Sequence, residues 1–326
     1  MPLPLFIVAD IGGTNARFAA FQGEQCVAAA TYKTADHDDL HALAKAFAST
    51  LPKCPTIVVA TAAGPVQDNA VRLTNGGHCI SGAALQEATG AEHAYVINDF
   101  AAAAWATLDL APKDLSVIAG APYPPPGTRV VIGPGTGLGV SALVFDGKDY
   151  HCVTGEGGHI GIGPNTAFEI AVFEALFALW PEAFFGHPLK AEAEAILSGA
   201  GLPLLYQAVA TVEGQSSHAK EPDTIFSAAQ SGGDAIALKT IEIFKTQLAE
   251  FAGDLGLLFG ASGGVLIAGG IAQQNPSLFD TAFTEALANG GHFSATRRTI
   301  NIYLLHRPDL GLTGARMFAQ MQWRQG

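Results

Sequence analysis

Two segments built to the same plan, far apart in the chain, constrain this fold more than any other feature. Residues 6–21 read as a β-rich run, a Gly-Thr turn at Gly13-Thr14 and a second alternating run. Residues 130–145 repeat the plan around Gly135-Thr136. Period-two alternation on either side of a glycine-rich turn is the signature of a β-hairpin. A repeat at so long a spacing points to a duplicated domain rather than a short solenoid unit. The 326 residues are enough for two such domains, each with its own core.

Each hairpin is followed by helix and strand signals, which predicts an α/β class with a mixed or parallel sheet. Asp38 to Leu51 reads as a helix, with Leu40, Leu43, Phe47 and Leu51 at helical spacing. Thr56–Ala60 and Tyr95–Ile97 read as short buried strands, and Phe100–Trp105 as helical. The proline-rich run from Gly120 to Gly127 continues neither helix nor central strand, and reads as a loop near a domain junction. Ile241, Phe244, Leu248, Phe251, Leu255 and Leu258 form one stripe of a long helix that feeds a strand, Val265–Ala268. Gly311 to Gln322 reads as a terminal helix.

Composition removes several function classes. A net charge of −12 argues against nucleic acid, whose binding needs clustered Lys and Arg. Apolar runs are interrupted well short of a membrane span. The start, Met1-Pro2-Leu3-Pro4 leading into a strand, lacks the parts of a secretory signal, so a cytoplasmic location is expected. Cys26, Cys54, Cys79 and Cys152 are widely spaced with no Cys-x-x-Cys pair, which predicts buried free thiols rather than a zinc site or disulfides.

Glycines cluster at 12–13, 133–139 and 269–270. Glycine lets backbone amides approach a phosphate closely. No Gly-Lys-Ser/Thr occurs, so none of these is a Walker loop. The 133–139 run leads into a strand where a dinucleotide fingerprint needs a helix. Two facing hairpins would instead clamp a triphosphate between two domains, with Thr14 and Thr136 offering hydroxyls to it. Asp10 ends the first strand and fits two roles: holding Mg2+ through water, or accepting backbone bonds in a turn. Arg17 fits a phosphate contact or an ordinary ion pair. Asp99 lies where a strand becomes a helix, the edge at which open α/β sheets bind ligands. A carboxylate there would take the proton of a hydroxyl attacking a γ-phosphate, though a plain capping aspartate suits the same position. Gly155-Glu156-Gly157-Gly158-His159 presents a carboxylate and an imidazole fitted to sugar hydroxyls. As a zinc site it is incomplete.

Taken together, Asp10–Arg17, Leu73-Thr74-Asn75, Ile97–Phe100, Gly133–Gly139, Gly155–His159, Leu197-Ser198-Gly199 and Ala268–Ile271 resemble, in order, the motifs of the bacterial glucokinase family. The resemblance implies the actin-like ATPase fold, a ribonuclease H-like α/β unit present twice. A small α/β domain (1–109 with 306–326) would face a larger α+β domain (110–305) across a cleft, with the last helix returning to the small domain from about His306. It implies ATP and Mg2+ as reaction partners and glucose as substrate, phosphorylated at the 6-hydroxyl, and a homodimer. Asp99 matches the family's base. Asn75, Asn98, Glu156, His159 and Glu194 match its sugar contacts; Glu194 on its own looks like one more charge on a helix face. Asp10, Gly12, Gly13, Thr14, Asn15 and Arg17, with Gly135, Thr136 and Gly137, match the phosphate-binding turns, and Gly269 and Gly270 the adenosine side.

Two departures bear on hexose selectivity. Gly161-Ile162-Gly163-Pro164 stands where the family commonly has Asp-Phe-Ala-Pro, and Gly76-Gly77-His78-Cys79 follows Leu-Thr-Asn where a tryptophan is common. They leave room for a kinase of mannose, fructose or an amino sugar. A sugar-sensing regulator on the same fold would need a DNA-binding module, for which neither the early first strand nor the charge allows.

Overall fold

The computed structural model describes residues 3–73, 77–216 and 220–325. The first hairpin extends into an antiparallel meander: β1 (Leu5–Ile11), β2 (Asn15–Gln22) and β3 (Gln25–Lys33). After α1 (Leu40–Ser49) comes β4 (Ile57–Ala62), then a small ribbon of β5 (Ala70–Arg72) and β6 (Cys79–Ser81), α2 (Gly82–Thr89), β7 (His93–Asn98) and α3 (Asp99–Ala106). The sheet order is β3-β2-β1-β4-β7, with β4 parallel to β1 and β7 parallel to β4. Burial explains the order. Residues of β4 are buried on both faces, as in a central parallel strand, whereas β3 is largely exposed at the edge.

The second unit opens with β8 (Leu115–Ala119), followed by the meander β9 (Arg129–Pro134), β10 (Leu138–Phe145) and β11 (Tyr150–Thr154). A two-residue strand β12 (Gly161–Ile162), α4 (Ala167–Leu179), β13 (Ala191–Glu192), α5 (Leu202–Val212), α6 (Pro222–Ser231) and α7 (Ala235–Leu258) precede β14 (Gly264–Ile267). Then come α8 (Gly270–Gln274), α9 (Thr281–Ala288), α10 (Ser294–Arg297), β15 (Ile302–Leu305) and α11 (Leu310–Gln325). The order β11-β10-β9-β14-β15-β8 repeats that of the first sheet, with β8 added antiparallel at one edge. The repeated hairpins are therefore the first two strands of two equivalent sheets.

Helices α3 and α11 follow the fifth strand of each repeat and pass between the two sheets. Ala315 and Ala319 of α11 pack on Phe6, Val8, Ile57 and Val59 of the first sheet. Ala103, Ala104 and Trp105 of α3 pack on Val131, Leu143, Leu266 and Tyr303 of the second. Small residues let the two helices meet: a Cβ on Gly314 would lie 1.8 Å from the Ala102 carbonyl oxygen. The Arg307 guanidinium ties the two chain crossings together, pairing with Asp109, Asp114 and Asp309. The largest core lies in the second unit, where Phe244, Leu248 and Phe251 of α7 meet Phe226, Val209 and Val265. Each such side chain contributes about 1.5–3 kcal/mol by leaving water.

Three expectations need correction. The proline-rich run joins β8 to β9 inside the second sheet, with Gly120 and Gly127 at positive φ, so it is a turn within one unit rather than a junction. The stripe on α7 ends at Leu255, since Leu258 at the helix end is 73% exposed. Cys26, Cys54 and Cys79 are exposed, because edge strand β3, a loop and the β5–β6 ribbon carry them; only Cys152 is half-buried. Among the described residues no helix is long and apolar enough to cross a membrane.

Candidate active site

The site is built where β7 turns into α3. Asn98 is the helix cap: its Oδ1 accepts from the Phe100 and Ala101 amides at 2.8 and 3.3 Å, while its Nδ2 donates to the Gly64 carbonyl at 3.0 Å. The capping role open to Asp99 on sequence grounds therefore belongs to its neighbour. Asp99 is the first helical residue, with one carboxylate oxygen accepting from the Phe100 amide at 3.0 Å. It lines a cleft of about 870 Å³ together with Asn98, Glu156, His159, Glu194 and the 135–137 turn. Burial pushes its carboxyl pKa up; the Phe100 amide pulls against that, and the nearby charges of Asp10 and Glu156 add to the rise. A carboxylate with raised basicity, facing a cleft, can accept a proton from a bound hydroxyl.

The opposite wall is the second hairpin. Its turn closes through the Gly135 amide donating to the Gly137 carbonyl at 2.8 Å. The turn is braced from below, because the Gly199 and Ala200 amides donate to the Gly135 and Thr136 carbonyls. Thr136 is left exposed at the tip. Glu194 lies on a short 3-10 turn at 193–195, not on a helix face, and its carboxylate accepts from the Leu138 amide at 2.7 Å. A Cβ on Gly137 would lie 2.5 Å from that carboxylate, so a larger residue there would displace the Glu194 side chain. Gly269, at φ +88°, also lines the cleft, and a Cβ on it would meet the Pro134 carbonyl at 2.5 Å.

The Gly155–His159 segment closes one end. Gly157 and Gly158 press against β10, where Cβ atoms would lie 2.8 Å from Val140 and 2.1 Å from the Leu138 carbonyl oxygen. His159 Nδ1 is 2.7 Å from a carboxylate oxygen of Glu192. That hydrogen bond, partly opposed by burial, lifts the imidazole pKa, and the charges of Glu192, Glu194 and Glu156 reinforce it. Nothing in the sequence pointed to Glu192. It reaches His159 because β13 pairs with β12, placing Glu192 opposite Gly161.

The first hairpin contributes no residue to the lining of this cleft. Gly12, Gly13, Thr14 and Arg17 are exposed, Asn15 is half-buried, and none of them lines the cleft; nor does Gly270, the first residue of α8. Asp10 is half-buried, does not line the cleft, and is near enough to Asp99 for its charge to be felt there. The Thr61 hydroxyl donates to it at 3.1 Å, Arg17 stands 3.6 Å away, and Gly311 at the start of α11 abuts it. Burial raises its pKa against the pull of Thr61 and Arg17. Among the described residues no group of three or more His, Cys, Asp or Glu is placed to grip a metal directly. Asn75 lies outside the described residues.

Comparison with known proteins identifies the family of the chain. A family model described as Glucokinase matches residues 7–322. The glucokinase of Rhizobium meliloti (strain 1021) is 37% identical over 326 residues, covering 98% of this chain and 93% of that protein. That of Sinorhizobium fredii (strain NBRC 101917 / NGR234) is 37% identical over 320 residues, covering 96% and 91%. A solved glucokinase from an Antarctic psychrotroph aligns with a TM-score of 0.87 at 30% identity, covering 98% of this chain and 99% of that one. A ROK hexokinase from Thermus thermophilus, at 19% identity and a TM-score of 0.66 over 99% of this chain and 100% of that one, shares the fold alone. The repeated sheets and these structural likenesses identify the actin-like ATPase fold. With a family match over nearly its whole length and relatives above 30% identity covered over nine tenths of their length, this chain belongs to the glucokinase family.

Proposed function

We propose that the protein is a glucokinase, transferring the γ-phosphoryl group of ATP to the 6-hydroxyl of glucose. One observation carries the reading: Asp99, relieved of capping by Asn98, presents a half-buried carboxylate to a cleft whose far wall is the 135–137 turn. Asp99 accepts the hydroxyl proton as that oxygen bonds to the γ-phosphorus and the bond to ADP breaks. Such a transfer depends chiefly on positioning and charge stabilisation, so a modest base suffices. Asn75, Asn98, Glu156, His159 and Glu194 hold the sugar hydroxyls. The hairpin turns, with Asp10, Gly12, Gly13, Thr14, Asn15, Arg17, Gly135, Thr136 and Gly137, hold the phosphates, and Gly269 and Gly270 the adenosine. For the first hairpin to reach the nucleotide, the small domain (1–109 and 306–326) pivots towards the large one (110–305) about the contact α3 keeps with the second sheet, excluding water as acceptor. A bound Mg2+ would neutralise phosphate charge. Asp10, a lone half-buried carboxylate, suits a Mg2+ that keeps most of its water shell. A cytoplasmic homodimer completes the reading.

A second reading, a kinase of another hexose, is favoured by one feature. Gly161 and Ile162, where the chain departs from the family motif, form the strand that brings Glu192 beside His159. Sugar-dependent ADP release with Mg-ATP across glucose, mannose, fructose and amino sugars decides between them. Glucose is expected to give the highest kcat/KM; a different best sugar moves the proposal to the second reading, and no sugar-dependent release removes both.

A further inference from the structure

We propose that Phe100 is the positioning residue that holds Asp99 against the phosphate turn, its ring seated in a slot formed by the cross-strand pair Gly133 and Gly139. This deepens the kinase reading and rests on it. In the antiparallel register of β9 and β10, Gly139 stands directly opposite Gly133. A Cβ on Gly133 would lie 2.4 Å from two carbons of the Phe100 ring, and one on Gly139 would lie 1.9 Å from a third. Neither glycine has a positive φ, so the backbone there would admit any residue. Both belong to strands, where a missing side chain marks the close approach of another group. That group is the ring. Two glycines of the 133–139 run thus serve the base, while Gly135 and Gly137 shape the turn.

The slot is continuous with the bed of α3. Val131 and Leu143 lie two and four residues further along the same strand faces and pack against Ala103 and Ala104. Phe100 is the bulky residue at the leading end of this contact, one position after Asp99. A ring seated on the sheet face over two paired glycines prevents the helix start from sliding along the sheet. The distance from the Asp99 carboxylate to the phosphate turn at 135–137 is then set by one rigid seat, although the two come from different units. An error of about 1 Å in such placement costs roughly 100-fold in rate.

The test is a two-residue cycle of Phe100→Ala and Gly139→Ala, with Phe100→Leu as a milder variant. Each single change is expected to lower kcat roughly 10- to 100-fold while KM for sugar and for ATP stays within about threefold. The double variant should be no worse than Phe100→Ala alone, because the added methyl enters a slot already empty. Thermal melts report the same coupling without activity: Gly139→Ala should lower Tm in the native background and leave it unchanged, or raise it, once the ring is gone. If the wild-type enzyme turns over no sugar, the kinase reading fails while the melts still judge the seat. Equal harm from Gly139→Ala in both backgrounds would show that the glycine serves the substrate directly, and a native kcat in both Phe100 variants would show that the ring positions nothing; either result overturns the proposal.

Discussion

Asp99→Asn separates the base from everything else at position 99. Asparagine has the same shape and keeps an oxygen that can accept from the Phe100 amide, now at 3.0 Å. The α3 cap is untouched, because Asn98 supplies it through bonds of 2.8 and 3.3 Å. Burial already disfavours the ionised carboxylate, so a neutral amide removes an electrostatic cost rather than adding one. Stability should therefore stay within about 1 kcal/mol of the native value or rise slightly. The loss falls on the chemical step: a positioned general base contributes 10²–10⁴-fold, or about 3–5 kcal/mol of barrier. Turnover at saturating glucose and Mg-ATP, measured by coupled ADP release, should drop by that factor while glucose binding and Tm hold. The pH profile adds a sign. Asp99 works ionised, and its pKa is raised by burial and by the charges of Asp10 and Glu156, so native turnover should fall with acidification above the usual aspartate range. The variant should lack that limb. A kcat within tenfold of native, in a protein with native Tm, would refute the assignment.

Glu192→Gln keeps an acceptor for His159 Nδ1 but removes its charge. Since the Glu192 hydrogen bond is the main cause of the raised imidazole pKa, His159 should lose its proton at lower pH, as read from its ring resonances by NMR; an unchanged titration would deny Glu192 this role. Asp234 caps α7 through the Ile236 and Ala237 amides and pairs with Lys220 and the Tyr206 hydroxyl. Burial alone would raise its pKa, but these partners together lower it to about 2. A depressed carboxylate pKa supplies stability that is complete above about pH 4, the unfolded value, and is lost as pH falls towards 2. Asp234→Ala should therefore cost about 2 kcal/mol near pH 7 by thermal or urea unfolding, with the gap to native closing in acid. A gap that persists at pH 2, or none at pH 7, would contradict this account.

Local pattern made the scaffold legible. Alternation around Gly13-Thr14 and Gly135-Thr136 specifies two hairpins whatever surrounds them, and the repeat pointed to two equivalent sheets. The change from buried strand to alanine-rich helix at Asn98-Asp99 marked the ligand edge for the same reason, since hydrogen-bonding periodicity is written in neighbouring residues. Facing relations were not legible. That Asn98 caps α3, that Glu194 reaches under the second hairpin, and that Glu192 meets His159 all depend on contacts between distant segments. The glycines of the 133–139 run look alike in sequence. Only because α3 leaves its own sheet to lie on the other do two of them become a seat for Phe100. A side chain's period is a local property, but what it touches is settled by how whole elements cross, and that the tertiary structure alone decided.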